Sequence, residues 1–306
     1  MSSVNNKKVD TFSFNYVNLQ MCNNCIFVKY LKSKVMKKHL LVGIFAVGLI
    51  YSCATNPITG KKSLNFVSNS ELFPTSFQQY GTFLKENKVI TGTADARKVE
   101  AVGMRIKAAA EKYLTYLGQT QYLNDYRWEY KLIDNKEVNA WCMPGGKIVV
   151  YSGILPITKD DSGLATVMGH EVSHALANHG AQRMSAGQLQ QLGAVGVAVA
   201  TGGKSEQTQQ IWSQAYGIGS QGLGILPFSR GHETEADKIG LILMAIAGYN
   251  PEESITFWTR MAAQSSGQAP PEFMSTHPSD ATRIANLKAL IPEAKTLAAK
   301  VGVIRR

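Results

Sequence analysis

The chain is poor in the residues that define several protein classes. It has four cysteines in 306 residues: Cys22, Cys25, Cys53 and Cys142. Cys22 and Cys25 form a Cys-x-x-Cys pair, but no second pair completes a zinc site, and the set does not make a disulfide framework. Charged residues are 18% against 44% hydrophobic, which excludes a chain kept disordered by charge. The net charge of +10 is local: residues 1–52 hold seven lysines and one acidic residue, Asp10, leaving 25 basic and 21 acidic residues for the rest. No basic stripe with interleaved aromatics follows, which argues against nucleic acid as a partner. The apolar run 40–51 has 12 residues. As a helix it spans about 18 Å, short of a hydrocarbon core of roughly 30 Å. The patch from Leu192 to Ala200 is shorter still. Neither an internal repeat nor a second domain is visible.

What is present begins with an address. Met36-Lys-Lys-His precedes the apolar run, and Leu49-Ile50-Tyr51-Ser52-Cys53 closes it. Basic start, short apolar core and small residue at the end make a secretory signal. The closing residues resemble a bacterial lipobox, in which the chain is cut before the cysteine and the cysteine is lipidated; Tyr51 departs from the usual small residue. The expected organisation is therefore an N-terminal extension over 1–35, its start codon suspect, and a signal peptide with lipobox over 36–52. A linker and lead-in over 53–90 and one catalytic domain over 91–306 complete it. Anchoring through lipidated Cys53 places the protein in a bacterial envelope, at the outer membrane facing the periplasm.

The spacing of apolar residues predicts a helix from Ala94 to Leu117 capped by Thr93, with Val99, Val102, Ile106, Ala109 and Tyr113 buried. Alternation over 126–133 predicts a half-buried strand, and 137–143 and 147–151 two more joined by a tight turn at Pro144-Gly145-Gly146. Asp160 or Asp161 caps the next helix, which buries Leu164, Met168, Val172 and Ala175 on one side and turns His170 and His174 to a cleft. Residues 187–226, rich in Gly, Ala, Gln and Ser, read as a small-residue packing helix rather than a lid. Further helices follow from His232 to a stop at Gly248, from Asn250-Pro251-Glu252-Glu253, and around Arg283 and Ile284.

The chemistry sits at His170-Glu171-Val-Ser-His174. Residues four apart share a helix face, so the two imidazoles can grip one metal ion, and Glu171 at the edge can move the proton of a water there. A catalytic zinc takes a third protein ligand. A metzincin would place glycine and histidine where Ala177 and Gly180 stand, so that form is excluded. Glu233 in Glu233-Thr-Glu-Ala-Asp237 is the candidate, with Asp237 on the same face to fix a histidine tautomer and Glu235 pointing away. His179 and His232 read as packing or surface residues, and Cys142 as a small apolar filler.

These motifs, together with Arg230, Thr276-His277-Pro278, Arg283-Ile284, Asn139-Ala140 and Pro144-Gly145-Gly146, resemble metallopeptidase family forty-eight, whose members include HtpX-like, BepA-like and CAAX-prenyl-endoprotease-like gluzincins. The resemblance covers roughly residues 65–290. It implies an α+β, zincin-like fold, mostly helical with a small sheet beside the active-site helix, and one Zn(2+) per chain. It also implies endopeptidase activity, with unfolded or misfolded proteins as substrates in envelope quality control. The strand with Asn139, Ala140, Gly145 and Gly146 would pair with extended substrate. His277 would approach the metal site, either to stabilise the oxyanion or to mask the open position, and Arg230 would orient Glu233 or Asp237. The competing readings are a lipid-anchored chaperone on the same scaffold, which has no need of Glu171, and a structural zinc protein, which would close four positions, often with cysteine.

Overall fold

The computed structural model describes residues 53–210, 229–264, 271–277 and 281–302. The extension over 1–35, the signal segment 36–52, Pro278 and residues 211–226 of the Gly-rich stretch lie outside the described residues.

Residues 53–90, read above as linker and lead-in, hold structure that enters the core. A hairpin pairs β1 (Cys53–Thr55) with β2 (Lys62–Leu64). Helix α1 (Asn69–Glu86) follows; the Glu71 carboxylate reaches back 3.2 Å to the Ser68 amide at its N-terminus. Its Leu72, Phe73 and Tyr80 are buried, at about 1.5–3 kcal/mol for each such apolar side chain. The period was hard to see because Pro74, Ser76 and Gln residues interrupt the apolar stripe. β3 (Val89–Ile90) then joins the sheet.

Helix α2 (Ala94–Tyr116) starts where Thr93 accepts a hydrogen bond from the Ala96 amide, and it buries the five residues expected of it. Three strands follow: β4 (Glu129–Ile133), β5 (Ala140–Met143) and β6 (Lys147–Tyr151). The sheet order is β3-β4-β6-β5, with β4 and β6 parallel and the β5–β6 hairpin antiparallel. β5 is thus an edge strand. Gly145 and Gly146 turn the hairpin at φ of 85° and 87°, and a Cβ on either would strike the ring of Phe77 or Trp128.

Asp160 caps α3 (Asp161–Leu176) by accepting from the Gly163 amide at 2.8 Å. This helix corrects the one-sided expectation: every residue from Gly163 to Leu176 is buried, histidines included. α2, β5 and α5 (Arg230–Ile246) all pack on it. The contact with α5 is close because Gly169 faces Gly240; a Cβ on Gly240 would lie 3.1 Å from the His170 amide nitrogen. α5 ends with Gly248 at φ 78°. α6 (Glu253–Ala263), α7 (Glu272–Thr276) and α8 (Ala281–Lys300) close the core around Phe257, Trp258 and Phe273. The architecture is α+β and zincin-like, mostly helical with a small mixed sheet.

Helix α4 (His179–Thr201) departs from the expected packing helix. Its first turns are held by buried Ala181 and Ser185, whose hydroxyl takes the Phe66 amide. Beyond them Leu192, Val195 and Val199 are 56%, 61% and 79% exposed. Glycine and alanine give this half little side-chain volume to interlock with a neighbour. Among the described residues, no helix is long and apolar enough to cross a membrane.

Candidate metal centre and active site

α3 presents His170 and His174 one turn apart, with Nε2 atoms 3.0 Å from each other. α5 brings Glu233 to both: one oxygen lies 3.3 Å from His170 Nε2 and the other 3.3 Å from His174 Nε2. His277, the residue that follows α7, adds its Nδ1 at 3.1 Å from His170 Nε2 and 3.0 Å from Glu233 Oε1. The ligating atoms of these four buried side chains all lie within 4.8 Å of one another. Ligands about 2.0–2.1 Å from a central ion have tetrahedral edges of about 3.3 Å, so the set fits a zinc-sized cation with little adjustment. Three imidazoles and one carboxylate are also the nitrogen and oxygen donors that such an ion takes.

Each ligand is backed by a further group. His170 Nδ1 lies 2.9 Å from Asp237 Oδ1, which turns Nε2 toward the cluster and makes it the nitrogen that would give up its proton to a metal. Arg283 donates to both Asp237 oxygens at 2.8 and 2.7 Å, reaches Glu233 at 3.1 Å, and stacks its guanidinium 3.5 Å over Trp258. Arg283 therefore does what was expected of Arg230, which sits exposed at the start of α5. Arg230 shares a helix face with Glu233 and Asp237, but it stands in solvent at the open first turn of α5, whereas α8 delivers Arg283 into the interior. Arg283 also donates to the His277 carbonyl at 3.3 Å.

Burial and charge set the protonation states together. For Glu233, burial opposes ionisation, but the His170 charge and hydrogen bonds from His170, His174 and His277 hold its carboxyl far below the usual range. Asp237 is held down likewise by Arg283 and His170 against the effect of burial. His170 is pushed up to about 9: burial opposes the charge, and Glu233 and Asp237 outweigh it. His174 is driven well below its ordinary value, mainly by burial. Burial raises Glu171, and the neighbouring His277 and His170 offset only part of that. Its Oε1 is buried and accepts no hydrogen bond from a described residue, although His277 Nε2 is 3.3 Å away. A carboxyl with a raised pKa and an unused oxygen beside a cluster of ligands has the makings of a proton carrier.

The strand residues divide. Ala140 opens the edge strand β5, and Asn139 caps it, its side chain accepting the Ala140 amide and its carbonyl the Tyr151 amide. The backbone of Cys142 in the same strand lies near enough to the Glu171 carboxylate to offset part of the effect of burial on it. Gly145 and Gly146 spend their carbonyls on the Arg127 and Glu129 amides at 2.8 and 3.0 Å, so they brace the sheet and are not part of its open edge. At the far end of β5, Met143 and Pro144 border a cavity of about 470 Å³ that Leu72, Gln79, Gly180 and Met184 also line.

Sequence reasoning missed a second cluster. His179 is fully buried, its Nδ1 2.9 Å from His174 Nδ1 and its ring stacked on His232 at 4.3 Å. Glu235 points away from Glu233, as expected, but into a buried nest of Asn56, Thr59, Lys61 and His179 rather than into solvent. A signal existed: all five histidines beyond residue 52 gather here.

The comparisons with known proteins agree with this geometry. Residues 104–291 match the family model "Peptidase family M48", which takes in α3, α5, His277 and Arg283. The chain is 35% identical over 207 residues to "Mitochondrial metalloendopeptidase OMA1" of Saccharomyces cerevisiae, covering 65% of this chain and 57% of that protein. It is 38% identical over 174 residues to the protein of the same name in Schizosaccharomyces pombe, covering 56% and 49%. It is 30% identical over 166 residues to "Beta-barrel assembly-enhancing protease" of Yersinia pestis, covering 53% and 34%. The chain thus spans between a third and just over half of the length of these relatives. With more than half of its residues matched and the ligand set in place, the chain belongs to peptidase family M48.

Proposed function

We propose that the protein is a zinc endopeptidase that hydrolyses peptide bonds of unfolded or misfolded proteins. The observation that carries this reading is the convergence of His170, His174 and Glu233 beside a buried carboxyl, Glu171, with one unused oxygen. His170, His174 and Glu233 would hold the ion, with His170 set in its tautomer by Asp237 and Asp237 fixed by Arg283. Bound there, zinc lowers the pKa of its water to about 7 and polarises a carbonyl. Glu171 takes the proton of the attacking water and hands it to the leaving amine nitrogen, a double use that its raised pKa favours. β5 pairs with no second strand among the described residues, and that outer edge supports an extended substrate bound by strand addition, with main-chain hydrogen bonds giving affinity for many sequences.

For His277 the distances favour masking. Its Nδ1 lies against both His170 and Glu233, where it would compete with a water for an ion held by the other three side chains. His277 must withdraw for turnover, so this conformation is a latent one. The setting we propose is a bacterial envelope, with a lipid on Cys53 as anchor and quality control as the task; the signal-like run 36–52 and the relative from Yersinia pestis support it, while the yeast relatives are named as mitochondrial. The chaperone alternative shares the scaffold but leaves Glu171 without a use.

Casein digestion tests the reading. Zinc-loaded protein should cleave and Glu171→Gln should not, while both bind zinc equally; His277→Ala should cleave faster than the native chain. Equal cleavage by the native protein and Glu171→Gln, or binding without cleavage by native and His277→Ala alike, would sink it.

A further inference from the structure

The two metal-site histidines of α3 are oriented from opposite sides. His170 has Asp237 directly behind it. His174 has another histidine. Its Nδ1 faces His179 Nδ1 at 2.9 Å, and a contact between two ring nitrogens needs one proton between them. If His179 supplied that proton, His174 would carry its own on Nε2, the nitrogen aimed at Glu233 and His170. His174 can offer Nε2 to a metal only if its Nδ1–H donates and His179 Nδ1 accepts. The remaining His179 proton then sits on Nε2, in a long ion-pair contact of 3.5 Å with Glu235 Oε2 rather than a close hydrogen bond. Glu235 is fixed in turn from the N-terminal hairpin: Asn56 donates to it at 2.9 Å, Thr59 at 2.6 Å and Lys61 at 3.2 Å. His179 is fully buried, and His232, stacked on it, is tied to Gln182 at 3.1 Å, so the ring has little room to flip.

We propose that His179, Glu235 and the loop Asn56–Lys61 form a positioning relay that locks His174 in the metal-binding tautomer. It rests on the zinc reading above. The loop lies outside residues 104–291, so the relay ties a segment beyond the family match to the metal centre. It also begins three residues after Cys53, so the stretch that leaves the proposed anchor is the one that completes the site. His179 acts through His174 and touches no reacting atom.

The test uses the full chain, stripped with a chelator and titrated with zinc against a competing chromophoric chelator. His179→Leu should bind zinc roughly 10–100-fold more weakly than the native protein, the usual loss when a histidine ligand is deprived of its backing group. His179→Asn, whose side-chain oxygen can accept the His174 proton, should recover to within roughly threefold of native. The double change Asn56→Leu, Thr59→Val should fall between the two. In the metal-free protein, histidine nitrogen spectra should show His174 protonated at Nδ1 in the native chain and in His179→Asn, and a tautomer mixture in His179→Leu. Should His179→Leu fail to fold, the loop variant and His179→Asn carry the decision. Equal zinc affinity in native and loop variants, or a His179→Asn protein as weak as one with no acceptor, overturns the relay. A native chain that takes up no zinc overturns the peptidase reading instead.

Discussion

The corner where α3 meets α5 and the outer half of α4 invert the usual distribution of residues. The corner buries Glu171, Glu233, Glu235, Asp237, Arg283 and four histidines, all less than one-tenth exposed. Further along the chain, in the outer half of α4, Val195 and Val199 stand in solvent. Buried charge is expensive unless each group is paired, and here most of it has a described partner, although Glu171 Oε1 accepts no hydrogen bond from a described residue. Fold stability does not call for such a corner, since well-packed apolar residues would serve as well or better. The difference teaches that the corner is built for reactivity and that the outer half of α4 adds little to the core.

Substitutions should expose that contrast. The largest effect is on turnover: Glu171→Gln should lower kcat by about 10²–10⁴-fold, the range for a general acid–base, with the fold unchanged; a loss under tenfold would move the proton carrier elsewhere. Next comes Arg283→Met, which strands Asp237 and Glu233 without their cation. It should destabilise by on the order of 3–5 kcal/mol, a fall of roughly 6–20 °C in Tm, read by calorimetry. Restoring the balance with Asp237→Asn in the same chain should return part of that loss.

A smaller effect belongs to Tyr122, whose hydroxyl donates to the Leu176 carbonyl at the end of α3 at 2.8 Å and accepts from Asn178. Tyr122→Phe should cost about 0.5–1.5 kcal/mol near neutral pH. Burial pushes the phenol up to about 12 from its ordinary 10.0, so the folded state keeps its proton longer than the unfolded one. Its contribution is therefore complete below pH 10 and is lost as pH rises to about 12, and Tyr122→Phe should flatten that alkaline slope in denaturant titrations. The smallest effect is on the other side of the comparison: Val195→Ser and Val199→Gln should change stability by no more than about 0.5 kcal/mol in urea unfolding. A larger loss there would mean that the outer half of α4 is covered by something in solution.

Legibility followed the range of the interaction. The caps at Thr93, Asp160 and Gly248, the hairpin turn at Gly145-Gly146 and the face shared by His170 and His174 were all readable, because each depends on residues within four or five positions. α1 was missed because its polar residues blur the period, and α3 was read as amphipathic because a helix covered on all sides shows no polar face. The helix through Leu192–Ala200 was foreseen, but not that its apolar residues would be left bare.

By itself, then, the sequence determined the local chemistry: two imidazoles and a carboxylate on one helix, and Glu233 and Asp237 four apart on another, since a 3.6-residue turn fixes those faces. The tertiary structure alone decided the rest. It brought His277 to Glu233 across 44 positions, put Arg283 where Arg230 was expected, and set Asn56 on Glu235 across 179. No period in a chain encodes such meetings; they follow from which helices the core packs together, and here from a glycine pair that lets α3 and α5 come close enough for one ion to lie between them.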